Sequence, residues 1–272
     1  MMKKLASLLI LLGLAYACQQ SGSQEATVEA KKEEVTPKKK RPVSIENGKF
    51  FEREEVPMLY GGEDESQHFD ISNLELENEQ FHYGIGRERF PALLQPSFIS
   101  VSAADSLWED EERFLLAYAG DEVKAYSVKD LTRHEVVNDE LNGEPIMAVY
   151  CILADLGAIY SRQYGDQELT FALSGYTYFD DEVWGGLDGF VLWDRDTESL
   201  WWPLIGRAVS GPLKGVGLLE KDKAHWEDTT WGLIKEKYPQ AQVLLSGQDF
   251  VRPTEWKQLE NPSDIVAQFM QQ

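Results

Sequence analysis

Between about residues 112 and 220 the chain is cut into short runs rich in β-branched and aromatic side chains, and this punctuation limits the possible fold more than any other feature. "RFLLAYAG", "EVKAYSV", "PIMAVYCIL", "GAIYSR", "ELTFALSGY", "FVLWDR" and "RAVSG" each have the length and composition of a strand. Between them stand "GD", "NDELNGE", "YGDQ" and "DRDTES", residue types that turn the backbone or satisfy it locally. Helical signals are few. "HWEDTTWGLIKEKYP" (225–239) has an acidic start, apolar Trp231, Leu233 and Ile234, and a basic end closed by Pro239. "NPSDIVAQFMQQ" (261–272) predicts a terminal helix behind Ser263, and "SAADSLWEDEE" (102–112) predicts a short one. In the acidic stretch 46–88, alternation in "FDISNLELE" (69–77) predicts one strand. The expected fold is mainly β with a few helices (α+β), a single β-rich domain of barrel or sandwich type.

The first residues read as export chemistry. "MMKK" gives a positive start, "LASLLILLGLAY" an apolar run too short for the ~20 residues of a membrane-spanning helix, and Ala17 precedes Cys18. "LAYAC" resembles a bacterial lipobox, departing from it at Ala15 where leucine is usual. This predicts a lipoprotein signal peptide over 1–17 and lipidation of Cys18. An ordinary signal peptide or an uncleaved anchor are the other readings. Residues 18–45 have almost no large apolar side chains and are expected to be a disordered tether. The basic run at 38–41 suits a solvated linker, with anionic lipid headgroups as the alternative. An acidic N-terminal extension is expected over 46–89, a β-rich domain over 90–246, and a C-terminal segment over 247–272. The location implied is the cell envelope, anchored to a membrane by lipid. Gln19, where aspartate would signal inner-membrane retention, favours the outer membrane or surface in a Gram-negative cell. A formal net charge of −21 argues against nucleic acid as a partner.

At "RHEVVNDELNGEPIMAVYCILADLGAIY" (133–160) the chain resembles a bacterial and archaeal family known as domain of unknown function 3179. Members typically carry an "HEIVND"-like segment, "YCPLC", an "SG" strand, a "YDR-TGS-W" hairpin and "GP-L-G". The matching stretches are "HEVVND", "YCILA", "ALSG", "LWDRDTESLW" and "GPLKG". They place His134, Glu135, Asn138, Asp139, Tyr150, Cys151, Ser174, Gly175, Asp194, Arg195, Gly211 and Pro212 at motif positions. The resemblance runs over about 90–246. It departs at the second cysteine, where Ala154 stands, and at Trp202-Pro203, where the family has two polar residues. The family supplies no activity.

A two-cysteine motif cycles between dithiol and disulfide, or grips a metal with both sulfurs. Cys151 alone needs an external thiol, and His134 is the neighbour that the motif implies for it. The competing reading is a small buried hydrophobe. A soft, copper-type ion held by His134, Met147 and Cys151 is the alternative to having no cofactor. "HEVVN" lacks the second histidine of a zinc-protease helix, "DRDTES" lacks the glycine of a calcium loop, and no glycine series fits a phosphate loop. Trp184, Trp193, Trp201 and Trp202, with Tyr176 nearby, form an aromatic hairpin that reads as core packing or as a binding surface. Strand alternation would send Trp201 and Trp202 to opposite faces, exposing at least one. The function expected is a non-enzymatic binding or scaffolding module for an unidentified ligand or envelope protein, with a pocket around 184–202. The alternative is a thiol redox or soft-metal protein using Cys151 and His134.

Overall fold

The computed structural model describes residues 46–219, 225–245, 247, 265 and 266. The expected signal peptide, Cys18, the tether and most of the C-terminal segment lie outside these residues. Apolar runs of strand length become strands almost throughout: Arg113–Ala119, Glu122–Ser127, Glu144–Cys151, Leu156–Ser161, Phe171–Asp180, Leu187–Asp194 and Arg207–Ser210. The chain is mainly β with few helices, and its sheets stack in layers without closing into a barrel.

The sheets order the core. An antiparallel six-stranded sheet runs Glu46–Asn47, Phe81–Tyr83, Phe171–Asp180, Leu187–Asp194, Leu200–Trp202 and Arg207–Ser210. A three-stranded sheet has Glu144–Cys151 at its centre, between Val136–Leu141 and Leu156–Ser161. Strand alternation sends Met147, Val149 and Cys151 into one apolar cluster with the six-stranded sheet. Ile146, Ala148 and Tyr150 enter a second cluster with Leu115, Ala117 and Tyr126 of a five-stranded sheet. The far face of that sheet packs Phe114, Leu116 and Val243 against Trp108, Trp231 and Ile234. The three-stranded sheet is thus covered on both sides, which is why "IMAVYC" reads as an unbroken apolar run.

Three segments differ from expectation. His225–Thr230 is a strand paired with Arg113–Ala119, and only Trp231–Lys237 is helical. The acidic start expected of the helix is an edge strand, where charged side chains reach water on one side. In "FDISNLELE" only Phe69–Asp70 is a strand, because Asp70 accepts from Ser72 N–H and Oγ and turns the chain. In "NDELNGE" the turn shrinks to Asn142 (φ 51°) and Gly143 (φ 77°), the left-handed pair that a two-residue hairpin requires. Asn138 and Asp139 lie inside the strand, where their polar groups are bonded.

The segment before residue 90 does not stand apart. Phe81–Tyr83 pairs with Tyr176–Tyr178, and Glu46–Asn47 pairs outside it, so the acidic extension widens the large sheet. A register shift between Leu173 and Tyr176 lets residues 84–86 cross at Gly175, whose carbonyl accepts from Gly84 N–H (2.9 Å) and Ile85 N–H (3.3 Å). Gly175 sits at φ +83°, and a Cβ there would lie 2.1 Å from the Gly86 carbonyl carbon. Gly175→Ala is expected to cost about 3 kcal/mol or more in urea unfolding. Gly143→Ala, also at positive φ but with open space around it, should cost about 1 kcal/mol.

Candidate functional site

Cys151 is the last residue of its strand, before the turn that leads into Leu156–Ser161. The residue is 1% exposed, whereas Ile152 and Leu153 beside it are 57% and 56% exposed. The Phe190 N–H donates to Sγ at 3.4 Å. Burial pushes the thiol up to about 11, the N–H groups of Phe190, Ala154 and Leu153 oppose this, and the charge of Glu135 adds to it. At neutral pH the sulfur is therefore a thiol, while the thiolate is the form that attacks or ligates.

His134 and Met147 do not complete a site around it. His134 ends the helix Val128–His134, and its Nδ1 lies 2.8 Å from the Pro91 carbonyl. A carbonyl only accepts, so Nδ1 carries the proton and is committed to the backbone. Met147 shares a sheet face with Cys151 but is four residues away along one strand, roughly 13 Å at ~3.3 Å per residue. One ion cannot bridge that gap. Among the described residues no group of three or more His, Cys, Asp or Glu is placed to hold a metal. Glu135 is the ionisable group that does act on Cys151. It caps the helix in the left-handed conformation (φ 55°), is buried, and burial pushes its carboxyl up to about 7.

The aromatic hairpin is core rather than surface. Trp193, Trp201, Trp202 and Tyr176 are all buried. Trp201 and Trp202 do face opposite ways, but both faces are covered: Trp201 meets Phe171 and Tyr164, and Trp202 meets Tyr178. The expected exposure of one of them fails for that reason. Trp184 alone is open, 66% exposed at the hairpin tip, with Nε1 donating to the Leu204 carbonyl.

The motif-like residues of the second half form one hydrogen-bonded knot. Asp194, fully buried, accepts from Thr197 N–H (2.6 Å), Thr197 Oγ1 (2.8 Å) and Trp201 Nε1 (2.8 Å). Burial pushes its carboxyl up to about 7 against these donors. Ser199 Oγ accepts from Leu213 N–H, and a Cβ on Gly211 would lie 2.7 Å from the Ser199 Cα, so "GPLKG" can lie against "DRDTES" only through glycine. The three carboxylates of that turn diverge: Asp194 inward, Asp196 to Thr170 N–H, Glu198 to Arg87. Arg195 makes a buried two-pronged pair with Glu88, at 2.7 and 2.6 Å. Ser174 Oγ donates to the Val191 carbonyl beside the Gly175 crossing. Tyr150 Oη donates to Asp155, and Asp139 binds Lys124 and Tyr126. Each of these residues stabilises the fold, and none presents an open reactive group.

Openings occur beside the knot. Arg87 Cζ lies over Trp193, 3.5 Å from the ring centroid, and the guanidinium pairs with Glu198 at 3.1 Å. On the Arg87 side is a cleft of about 460 Å³ lined by Tyr60, Glu63, Asp64, Tyr83 and Arg89. On the Glu198 side is one of about 440 Å³ lined by Asp70, Asn73, Thr197, Gly211 and Pro212. A family model described as protein of unknown function (DUF3179) matches residues 87–260. The chain belongs to the DUF3179 family. No curated protein and no solved structure gives a significant match. The DUF3179 match begins at Arg87, so the Tyr60–Gly86 wall of the larger cleft is built by sequence outside it.

Tyr60, Tyr83, Arg87 and Glu88 were not singled out from the sequence. The signal for Glu88 was indirect: a buried Arg195 demands a carboxylate, but 47 acidic residues offer themselves. Glu135 supplies a pH test. Its folded-state carboxyl sits above its ordinary 4.5, at about 7. Between those values the folded chain binds more protons than the unfolded one, so stability falls as pH rises through this window and levels off above it. Glu135→Gln is expected to flatten the pH–stability curve and raise stability at pH 8, by on the order of 3 kcal/mol at most. Asp194 contributes slope of the same sign, so some slope should remain. Unchanged curves in urea titrations from pH 4 to 8 would contradict this role.

Proposed function

We propose that this chain is a lipid-anchored envelope protein that acts as a non-enzymatic binding module, with the cleft beside Arg87 as its ligand surface. One observation carries the non-enzymatic part: the single thiol of the degenerate Cys151–Ala154 pair is buried and held protonated at neutral pH. The cleft supports the binding part. It is open and polar, whereas Trp193, Trp201 and Trp202 of the aromatic hairpin are buried in the core. The acidic charge of the chain supports a ligand other than nucleic acid.

The second reading, thiol or soft-metal chemistry at Cys151 with His134, has one point in its favour. The N–H groups of Leu153 and Ala154 stabilise negative charge on the sulfur, as a reactive turn would. Burial outweighs them, and the His134 ring is engaged elsewhere.

Labelling with a thiol reagent separates the two. In the native Cys18→Ala protein at neutral pH, Cys151 is expected to react at least about a hundredfold more slowly than free cysteine, and at the free rate in denaturant. Native labelling at the free rate would overturn the non-enzymatic reading. The same substitution tests the anchor: Cys18→Ala should move the protein from the membrane pellet to the soluble fraction. Pelleting unchanged would mean that something other than a lipid on Cys18 holds it.

A further inference from the structure

The larger cleft has an unusual balance for a chain of formal charge −21: its lining holds two acidic side chains, Glu63 and Asp64, and two basic ones, Arg87 and Arg89, with Arg87 also paired to Glu198. Its volume of about 460 Å³ lies within the ~300–1,000 Å³ of small-molecule sites, but its lining is more polar than that of a drug-like pocket. A phosphate or carboxylate entering it would meet Glu63 and Asp64. An ammonium or guanidinium would meet the two arginines. A hydroxyl group both donates and accepts, and is suited by acceptors and donors standing side by side.

The groups needed are available. Among the described residues, the Tyr60 and Tyr83 hydroxyls, the Gln67 amide, the Glu63 carboxylate and the Arg89 guanidinium make no hydrogen bond or ion pair. Apolar contact comes from the Tyr60 and Tyr83 rings, with centroids 6.0 Å apart and planes at 57°, and from exposed Ile85. Such a mixed wall fits a ring that has a C–H face and an equatorial rim of hydroxyls.

The wall is also rigid. Lys49 Nζ sits 3.4 Å from the Tyr83 ring centroid and 5.6 Å from that of Tyr60, a cation against both rings. Arg87 is locked between Trp193 and Glu198, and its N–H donates to the Gly61 carbonyl at 2.7 Å, tying the two sides of the cleft together. A preformed site loses little entropy on binding.

We propose that the cleft between Tyr60, Tyr83 and Arg89 binds a neutral carbohydrate. The proposal rests on the reading of this chain as a binding module, and it names the ligand class.

Saturation-transfer NMR on the full chain with cellobiose, maltose, lactose and chitobiose at millimolar concentration tests it, with inorganic phosphate and free arginine as charged probes. At least one disaccharide should bind saturably, and phosphate should not displace it. Arg89→Ala, on an exposed side chain, and Tyr83→Phe, which keeps the packed ring, should each weaken binding by about five- to tenfold. Trp184→Ala, on a separate exposed aromatic, should leave it unchanged. Saturable binding of phosphate or arginine that depends on Arg89 would overturn the carbohydrate assignment while leaving the binding-module reading in place. Failure of all four disaccharides to saturate, or sugar binding insensitive to both cleft variants, would overturn it too. The thiol-labelling result, which does not involve the cleft, is what would bring down the broader reading.

Discussion

Asn138 holds two sheets together through a single amide. Its Nδ2 donates to the Phe171 carbonyl at 2.8 Å and its Oδ1 accepts from the Phe171 N–H at 2.9 Å, as a neighbouring strand would. Its own N–H donates to the Leu93 carbonyl, and Leu93 N–H donates to Val136. These bonds satisfy the outer edge of the Val136–Leu141 strand where water cannot reach. A sheet buried on both faces needs such a device, since each buried polar group left unpaired costs about 1–3 kcal/mol. With the edge closed, the apolar "IMAVYC" strand can fill two cores at once.

The charged groups follow the same logic. Arg195 and Glu88 are costly to bury, and their two-pronged geometry offsets much of that cost. Their position fixes the chain at residue 88, next to Arg87, which sits over Trp193 and lines the cleft. The cleft is thus a by-product of how the knot is satisfied. Cys151 stands in contrast: the helix end beside it delivers a carboxyl group, Glu135, where a reactive cysteine would need a positive neighbour.

What the sequence revealed depended on whether local chemistry decided the outcome. Most strands from 113 to 210 were legible because each needs only its own composition and flanking turns; Val136–Leu141 was not, since its "NDEL" has the composition of a turn and becomes strand through pairing with Glu144–Cys151. The strand His225–Thr230 was not, because it gains its character from pairing with Arg113–Ala119, more than a hundred residues away. The burial of both Trp201 and Trp202 was hidden for a related reason. Alternation correctly gave them opposite faces, but nothing local says how many faces a sheet has covered. The cysteine could be located and its missing partner noted, yet its burial depends on Phe190 and the six-stranded sheet. The cleft was illegible altogether, since its walls come from residues 60–67 and 83–89, joined only by the fold.

The outer margins of the large sheet are brief or occupied. Among the described residues, its outermost strand on one side is Glu46–Asn47, two residues long. On the other side Arg207–Ser210 is partly covered, since Ala208 exchanges hydrogen bonds with Gly215 and Val216. Long, flat, unpaired margins are the templates on which β proteins join into aggregates. When many copies crowd together, this sheet therefore leaves little free backbone for a neighbour to extend.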